Sequence, residues 1–512
     1  MPKNKVFEHP IRKIGPTRAY IGLVGLIREL GLNVPWPAVR SESIVGTRRT
    51  YIADGIAQEQ YPRSHAPKNL IGNLKFAMRH EPLDLEVLHA AFKAIGARPV
   101  QRWLREEPTS IFARRCWYLY EKLTGKTLDV PEVAPSGYVD LLDAKLHITG
   151  IRRRSRRHLI NDNLLGDTNY CPLIRRTEAL SAAMDSGLET QARNLIEACD
   201  PTLLARAVQY IYTQETKSSF AIEGEAPGAD RTERFIAALS QAATFDTSNP
   251  KSFVRLQNAI VDPRYAEKGW RTLQNYVGQT MSDFREQVHY VCPKPGDVPD
   301  LMSGWMRLVA RLQESGVDPV CAAAASSFGF VFIHPFEDGN GRIHRFLIHQ
   351  TLARSGFTPQ GLLFPVSAVM LRDREAYDRV LRNFSSAIQP FAEYTLDNNG
   401  QMTVRNQTAP LYRYWDATDA AEYLYRCVAE TVHRDLADEI DFLKIFDAAV
   451  RATMNIVDMP DRRASLLVRL ILQNKGVLSK AKRAQFPELR KEEVAAIEAL
   501  VQKGSEKIHR PL

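Results

Sequence analysis

A chain of 512 residues, of which 44% are hydrophobic and 25% charged, has the composition of an ordinary globular protein with more than one domain. No run approaches the roughly 20 apolar residues that a membrane-spanning helix requires, and no apolar signal segment follows the basic first residues, so we expect a cytoplasmic protein without a membrane partner. The net charge of +9 is modest for this length and permits acidic partners without requiring them.

The six cysteines lie far apart and form no Cys-x-x-Cys pair, which argues against a disulfide framework or a zinc ribbon. We expect them to be buried thiols in a reducing compartment. They are Cys116, Cys171, Cys199, Cys292, Cys321 and Cys427.

Residues 1–180 are predicted to form a separate, mostly helical region that serves target recognition or acts as a scaffold. Apolar residues recur at helical spacing over 85–95 and 112–123, whereas residues 138–150 partly alternate and favour a strand or hairpin. No group of chemically able side chains in this region suggests catalysis.

The densest positive charge is the run Arg-Arg-Arg-Ser-Arg-Arg-His at 152–158. Such a run can bind nucleic acid, but no aromatic residue is interleaved to stack on bases. We therefore favour a segment that is solvated or paired within the chain, and we keep a DNA-binding regulator as the alternative from another functional class.

A long helix is predicted near the start of a second region, residues 181–397. Asp200 is suited to cap this helix and Pro201 to occupy its first position. The helical pattern continues to Ser219-Phe220-Ala221-Ile222-Glu223-Gly224, where the glycine suits a helix end. Further along, Val288-His289-Tyr290-Val291 is predicted to form a short strand.

The most informative stretch is His-Pro-Phe-Glu-Asp-Gly-Asn-Gly-Arg-Ile-His-Arg at 334–345. Residues 319–333 before it are apolar on all sides and long enough for a buried helix, which Pro335 would stop. Residues 343–352 after it carry apolar side chains at helical spacing. The stretch is therefore predicted to be a loop between two helices.

The second half of this loop has the parts of an anion site. Gly339 and Gly341 permit backbone angles that turn N–H groups inward, and the following helix adds its positive end at the same place. Asn340 can cap the helix or donate to a phosphate oxygen. Arg342 and Arg345 project from nearly the same face with bidentate donors suited to a polyphosphate.

The remaining polar groups suggest the chemistry. Asp338 is a hard oxygen ligand suited to a magnesium ion that bridges phosphates, and His334 can take up a proton near neutral pH. Zinc is a poorer interpretation, because His334, Asp338 and His344 lack the spacing of known zinc sites. The combination predicts phosphoryl or nucleotidyl transfer to a hydroxyl group.

The stretch matches at every position the pattern His-x-Phe-x-Asp/Glu-Gly-Asn-Gly-Arg-x-x-Arg, and the chain thereby resembles the Fic family over about residues 200–395. The resemblance implies a mainly α fold, with a Fic-type helical core, a small β-hairpin flap, and helical regions before and after the core. It implies transfer of AMP from ATP to a Ser, Thr or Tyr hydroxyl of a target protein, and possible self-modification. The Doc branch, which transfers phosphate, differs in the glycine part of the loop.

The resemblance also implies a role for each motif residue. His334 would deprotonate the target hydroxyl, and Asp338 would hold Mg²⁺ on the phosphates. The phosphates would be bound through backbone, amide and guanidinium groups that stabilise the leaving pyrophosphate. These groups belong to Gly339, Asn340, Gly341, Arg342 and Arg345.

Three further correspondences lie outside the loop. Ser219, Glu223 and Gly224 match the inhibitory pattern Ser/Thr-x-x-x-Glu-Gly/Asn, which implies that the Glu223 carboxylate competes with the outer phosphates for Arg345. The strand 288–291 resembles the flap on which an extended target segment docks. Tyr377, on a helix predicted over 372–384, corresponds to an adenine-pocket residue.

A third region, residues 398–512, is predicted to be helical, with long patterns over 417–454 and 464–502. Its basic turn permits a helix-turn-helix contact with DNA, although we favour a packed helical tail. The function predicted for the whole chain is protein adenylylation restrained by Glu223. Removal of AMP, or transfer of another phosphate-linked group by the same site, is the alternative within the enzyme class.

Overall fold

Helices predominate in the computed structural model, which describes residues 19–53, 56–132, 137–282, 286–397 and 399–505. The strands form only small sheets, so the predicted mainly α fold class is confirmed. None of the helices in these ranges has the length and apolar character needed to cross a membrane. The basic first residues used in the sequence analysis lie outside the described residues.

The α-helices are α1 (Gly22–Leu30), α2 (Leu70–His80), α3 (Leu85–Ile95), α4 (Ala97–Glu106), α5 (Ile111–Thr124), α6 (Glu178–Asp185), α7 (Leu188–Glu197), α8 (Pro201–Ile222), α9 (Ala229–Ser240), α10 (Pro250–Ile260), α11 (Val298–Ser315), α12 (Pro319–Ile333), α13 (Asn340–Arg354), α14 (Val366–Arg372), α15 (Arg374–Ile388), α16 (Ala409–Arg413), α17 (Thr418–Glu430), α18 (Leu436–Ile456), α19 (Asp461–Gln473), α20 (Lys480–Arg483) and α21 (Lys491–Ser505). A π-helical turn, Thr431–Asp435, joins α17 to α18.

The strands are β1 (Ala19–Ile21), β2 (Val39–Ile44), β3 (Arg49–Ala53), β4 (Ile56–Pro62), β5 (Val139–Asp140), β6 (Arg153–Ser155), β7 (Ile160–Asp162), β8 (Tyr276–Thr280), β9 (Glu286–Val291), β10 (Tyr394–Leu396) and β11 (Met402–Val404). The first four form a sheet in the order β1-β2-β4-β3, in which only the β2–β4 pair is parallel. The next three form a sheet in the order β5-β7-β6, and two antiparallel hairpins, β8–β9 and β10–β11, complete the set.

Several local predictions are confirmed because they depend on signals within one helix. Helix α3 buries Leu85, Leu88 and Phe92, as its apolar spacing predicted. Helix α8 begins at Pro201, and the Asp200 carboxylate accepts the Thr202 N–H at 2.9 Å.

Over residues 138–150, only Val139–Asp140 forms a strand. All six cysteines are free thiols, and five of them are buried.

The basic run at 152–158 is largely paired within the chain. Arg152 forms an ion pair with Asp140 at 2.6 Å, Arg153 with Glu314 at 2.8 Å, and Arg157 with Glu121 at 3.1 Å. Its middle residues form strand β6. These contacts agree with the internally paired interpretation and give no support to the nucleic-acid alternative.

The chain packs as two compact units that are not consecutive in sequence. The first contains the described residues of 1–185, 228–355 and 373–425, and the second contains those of 186–227, 356–372 and 426–512. Backbone pairing joins distant segments within the first unit, where Leu173 N–H donates to Trp415 O at 2.9 Å and Ala417 N–H to Leu173 O at 2.7 Å. The division into the functional regions 1–180, 181–397 and 398–512 stays a prediction.

Each unit has its own core. In the first, large side chains of α3, α4 and α5 pack together, and an aromatic group links α10, α11 and α12 through Phe253, Trp305 and Phe330. In the second, α18, α19 and α21 bury an apolar cluster that includes Leu467 and Ile497. In that unit the buried Glu215 of α8 accepts the Ser367 N–H of α14 at 2.9 Å.

A close contact in the first unit generates a stability prediction. A Cβ atom at Gly304 of α11 would lie 2.7 Å from the Tyr170 Cβ and 3.0 Å from the Asn169 carbonyl carbon, so Gly304→Ala should force the helix and this loop apart. We expect the free energy of unfolding, measured by urea titration, to fall by about 1–3 kcal/mol. Gly296→Ala is the control, because a Cβ there meets no atom within 4 Å. Equal stability of the two variants would contradict the prediction.

Candidate active site

The predicted loop lies between α12, which ends at Ile333, and α13, which begins at Asn340. His334 is the C-cap of α12 and has φ of 52°, a left-handed conformation that is uncommon for a residue other than glycine. Gly339 is the N-cap of α13 with φ of 92°, and a Cβ atom there would lie 3.1 Å from Val261 Cγ1. The loop therefore requires a glycine at 339 and holds His334 in a strained backbone conformation.

The ring of His334 is oriented by the helix that precedes it. Its Nδ1 lies 3.1 Å from the Val331 carbonyl oxygen. Because a carbonyl oxygen only accepts, Nδ1 must carry the proton in this contact, and the lone pair of the neutral ring is then on Nε2. This tautomer presents Nε2 as the atom able to accept a proton.

Asp338 and Arg342 form an ion pair across the first turn of α13. Asp338 Oδ1 accepts from Arg342 Nη2 at 2.6 Å and from the Gly339 N–H at 2.5 Å. The Arg342 side chain is 1% exposed, whereas that of Asp338 is 42% exposed. The arginine is therefore anchored in the interior, while the carboxylate it orients opens toward solvent and can bind a cation.

Asn340 has a different role from the one expected. It is the first residue of α13, since Gly339 is the N-cap, and so the predicted capping role is wrong. Its Oδ1 accepts the Phe336 N–H at 3.0 Å and its Nδ2 donates to the Phe336 carbonyl at 2.8 Å. The amide side chain thus closes the loop around the buried Phe336, and the phosphate-binding role of Asn340 stays a prediction.

Arg345 is fully buried one turn further along α13. Its Nη1 lies 3.5 Å from the hydroxyl oxygen of Tyr377 on α15. The ring of Tyr377 stacks near that of His344, with centroids 6.1 Å apart, and only 3% of the residue is exposed. The structure therefore places Tyr377 beside a motif arginine, and its adenine-pocket role stays a prediction.

Two residues that the sequence analysis missed support the loop from outside. Glu267 Oε1 accepts the Glu337 N–H at 2.8 Å, and burial of this carboxyl group raises its pKa above the usual value. The guanidinium of Arg271 donates to the His334 carbonyl at 2.7 Å. Neither residue belongs to a recognisable motif, so no local signal in the sequence marks them.

The predicted flap strand lies in the hairpin β8–β9, where Val277 pairs with Tyr290 and Gly278 with Val288 across a bulge. Val288 and His289 are partly exposed, but Tyr290 and Val291 are buried. The Tyr290 hydroxyl donates to the Phe332 carbonyl of α12. The side chains of Tyr290 and Val291 therefore pack in the interior, and the role of this strand in docking a target stays a prediction.

The other strand of this hairpin is the exposed one. Residues 277–280 of β8 are exposed, and Val277 is 43% exposed. Just before β8, the Asn275 side-chain amide donates to the Glu337 carbonyl at 3.3 Å. The base of the hairpin is thus connected directly to the loop that carries His334.

The predicted inhibitory residues lie at the end of α8, in the second compact unit. Ser219 is fully buried in the last turn, and Glu223 is the C-cap residue. Gly224 has φ of 74°, and the Glu225 N–H closes the helix end on the Phe220 carbonyl at 3.1 Å. The predicted glycine-capped helix end is therefore confirmed, whereas the inhibitory role stays a prediction.

A preformed cage of protein ligands for a metal ion is absent from the described ranges, because no three His, Cys, Asp or Glu side chains there are grouped in a way that could hold one. Magnesium needs no such cage, since it commonly takes one or two carboxylates together with substrate phosphates and waters. The half-exposed Asp338 carboxylate, next to the positive end of α13, fits that kind of site.

Comparisons with known proteins support the resemblance that the loop motif indicates. The family model described as Fic/DOC family matches residues 249–352, which include α10 to α12, most of α13 and the whole 334–345 motif. "Protein adenylyltransferase Fic" of Drosophila ananassae is 34% identical over 117 residues, 22% of each chain. The protein of the same name from Culex quinquefasciatus is 26% identical over 283 residues, 49% of this chain and 50% of the relative.

The matched part thus spans half or less of the length of these curated relatives. A crystal structure of a Fic family protein from Desulfovibrio desulfuricans G20 aligns with 63% of this chain and 97% of its own, at 18% identity and a TM-score of 0.39. The matching family model contains the complete 334–345 motif. The chain therefore carries a Fic/DOC family domain at residues 249–352.

Proposed function

We propose that this protein is an adenylyltransferase that moves AMP from ATP to a Ser, Thr or Tyr hydroxyl of a target protein and releases pyrophosphate. The observation that carries the proposal is the loop between α12 and α13, which presents a proton acceptor at one end and a carboxylate with buried arginines at the other. The curated relatives are named protein adenylyltransferases, which supports the same activity.

The chemical step follows from these groups. His334 Nε2 accepts the proton of the target hydroxyl as its oxygen attacks the α phosphorus of ATP. The bond from the α phosphorus to the bridging oxygen breaks, and pyrophosphate leaves with the electron pair. A magnesium ion bound by Asp338 would neutralise charge on the phosphates.

Binding of the triphosphate is assigned to the first turns of α13. The N-terminal N–H groups of a helix lack partners within the helix, so those of Asn340 and Gly341 suit phosphate oxygens. The Gly339 N–H donates to Asp338 Oδ1 and would exchange that partner for a phosphate oxygen when the nucleotide binds. Arg342 and Arg345 supply fixed positive charge for the outer phosphates. Because the Asn340 side chain closes the loop, its contribution to the phosphates comes from its backbone N–H.

The role of His334 is tested by His334→Ala. We expect the rate of AMP transfer to fall about 10²–10⁴-fold, because no other group would take the hydroxyl proton, while ATP affinity is retained. Labelled ATP measures the rate and calorimetry the affinity. His65→Ala is the control, because His65 is exposed and lies far from His334 in the sequence. Transfer at the parent rate by His334→Ala would show that this histidine is not the base.

The role of Asp338 is tested by Asp338→Asn, which keeps an oxygen for Arg342 and the Gly339 N–H but removes the charge. We expect the magnesium concentration for half-maximal transfer to rise, and excess magnesium to restore part of the rate. An alanine variant is less informative, because it leaves the buried Arg342 without its carboxylate. An unchanged magnesium titration would exclude Asp338 as a metal ligand.

We also propose that Glu223 restrains the enzyme by competing with the outer phosphates for the motif arginines. Its support is the match at Ser219, Glu223 and Gly224 together with the capped helix end that bears them. A hydrogen bond to a charged group contributes roughly 1.5–3 kcal/mol, which corresponds to about a tenfold to hundredfold effect on rate.

Glu223→Gly should therefore raise labelling of the protein by its own activity about tenfold to hundredfold, and Glu223→Asp should raise it less because the charge remains. Glu225→Gly, two residues further on, is the matched control and should leave labelling unchanged. Addition of His334→Ala to Glu223→Gly should abolish the gain. Equal labelling by the parent and Glu223→Gly would exclude the restraint.

The same assay separates the alternative reaction. A protein previously labelled with AMP is incubated without ATP, and loss of label in the parent but not in the His334→Ala variant would favour removal of AMP. Transfer of another phosphate-linked group would appear as a different mass added to the modified peptide.

A further inference from the structure

Arg271 is a buried arginine, 3% exposed, in the segment between α10 and β8. Its side chain donates to three carbonyl oxygens: Nε to His334 at 2.7 Å, Nη1 to Leu273 at 2.9 Å, and Nη2 to Pro293 at 2.6 Å. Its backbone N–H donates to the carbonyl of Pro335 at 2.8 Å. One residue thus binds both His334 and Pro335, at the start of the motif loop.

The other acceptors belong to the base of the β8–β9 hairpin. Leu273 lies three residues before β8, and Pro293 lies two residues after β9. A single guanidinium group therefore connects the backbone of the proposed base with the two ends of the hairpin. The bond from Asn275 to the Glu337 carbonyl adds a second connection between the same two parts.

The bonds act on the strained residue itself. A left-handed conformation at a residue other than glycine costs about 1–3 kcal/mol and persists only where the surroundings determine it. The Arg271 bonds to the carbonyls of His334 and Pro335 fix the peptide planes on the C-terminal side of the histidine. With the ring held by Val331, these bonds determine where Nε2 lies.

A lysine at position 271 could not form the same set of hydrogen bonds. The guanidinium is a rigid planar fork whose separate nitrogens reach three acceptors at once, whereas the lysine ammonium places all its donors on one atom. Burial lowers the pKa of Arg271, but an arginine remains charged at neutral pH and its bonds to carbonyls are charge-assisted.

We propose that Arg271 is a positioning residue that holds His334 in the conformation needed for proton transfer and sets its place relative to the β8–β9 hairpin. The part that concerns catalysis rests on the proposed adenylyl transfer. Arg271 acts through the backbone of His334 and touches no substrate. A displacement of about 1 Å in a reacting group can cost about 10²-fold in rate, so loss of this bridge should be visible.

The first test does not depend on any activity. Protein with nitrogen-labelled histidine is studied by NMR, and the His334 signals are assigned by their loss in His334→Ala. We expect the parent His334 to be protonated at Nδ1, and Arg271→Lys to show a mixture of the two neutral tautomers. Arg114→Lys is the matched control, because Arg114 is also 3% exposed and donates to a carbonyl, that of Gly137 at 3.1 Å.

The second test separates rate from binding. In the parent and in the Glu223→Gly background, Arg271→Lys should lower the self-labelling rate about tenfold to hundredfold and change KM for ATP less than about twofold. Arg114→Lys should change neither quantity. If Arg271→Lys does not fold, as judged by circular dichroism, Arg271→Gln is measured in the same way.

Unchanged His334 signals in a folded Arg271 variant would overturn the positioning role. An Arg271 variant that raises KM for ATP without lowering the self-labelling rate would overturn it as well. If the parent transfers no AMP at all, the proposed function fails, while the NMR comparison still decides whether Arg271 controls His334. The two failures are therefore distinguishable.

Discussion

The hydrogen bonds that hold residues 334–339 between two buried helices are the constraint on which this site depends. Backbone N–H and C=O groups removed from water must find partners, and each one left unsatisfied costs about 1–3 kcal/mol. Here Asn340 satisfies both groups of Phe336, Glu267 satisfies the N–H of Glu337, and Arg271 the carbonyls of His334 and Pro335. The loop has one conformation because side chains from outside it and from the following helix fix it.

This arrangement brings the groups of the proposed reaction together in one short stretch. The histidine ring is held by a helix carbonyl, and the carboxylate of Asp338 is held by an arginine that is itself buried. Groups fixed in this way need little reorganisation when charge develops on a reacting phosphate. The carboxylate suited to a metal ion is partly exposed, whereas the arginines beside it are buried.

The hairpin β8–β9 belongs to the same system of contacts. Its inner strand is committed to the interior through Tyr290 and Val291, and its base is bonded to the loop through Arg271 and Asn275. Its outer strand, β8, is exposed. The position of this exposed strand relative to His334 is therefore fixed by the hydrogen bonds of Arg271 and Asn275.

The sequence by itself determined what depends on local chemistry: a loop between two helices at 334–339, a glycine at 339, the Asp200–Pro201 start of α8, and the mainly α character. Only the tertiary structure decided that Asn340 closes the loop, that Tyr377 lies beside Arg345, and that Arg271 and Glu267 support the loop. It also decided that segments near 173 and 415 pair, so the compact units are not consecutive in sequence. The physical reason is that spacing along a helix or turn is encoded within a few residues, whereas the contacts of Tyr377, Arg271 and Glu267 and the pairing near 173 and 415 join residues tens to hundreds of positions apart. The Asn340 contact spans only four positions, but the sequence leaves open which polar group its side chain binds.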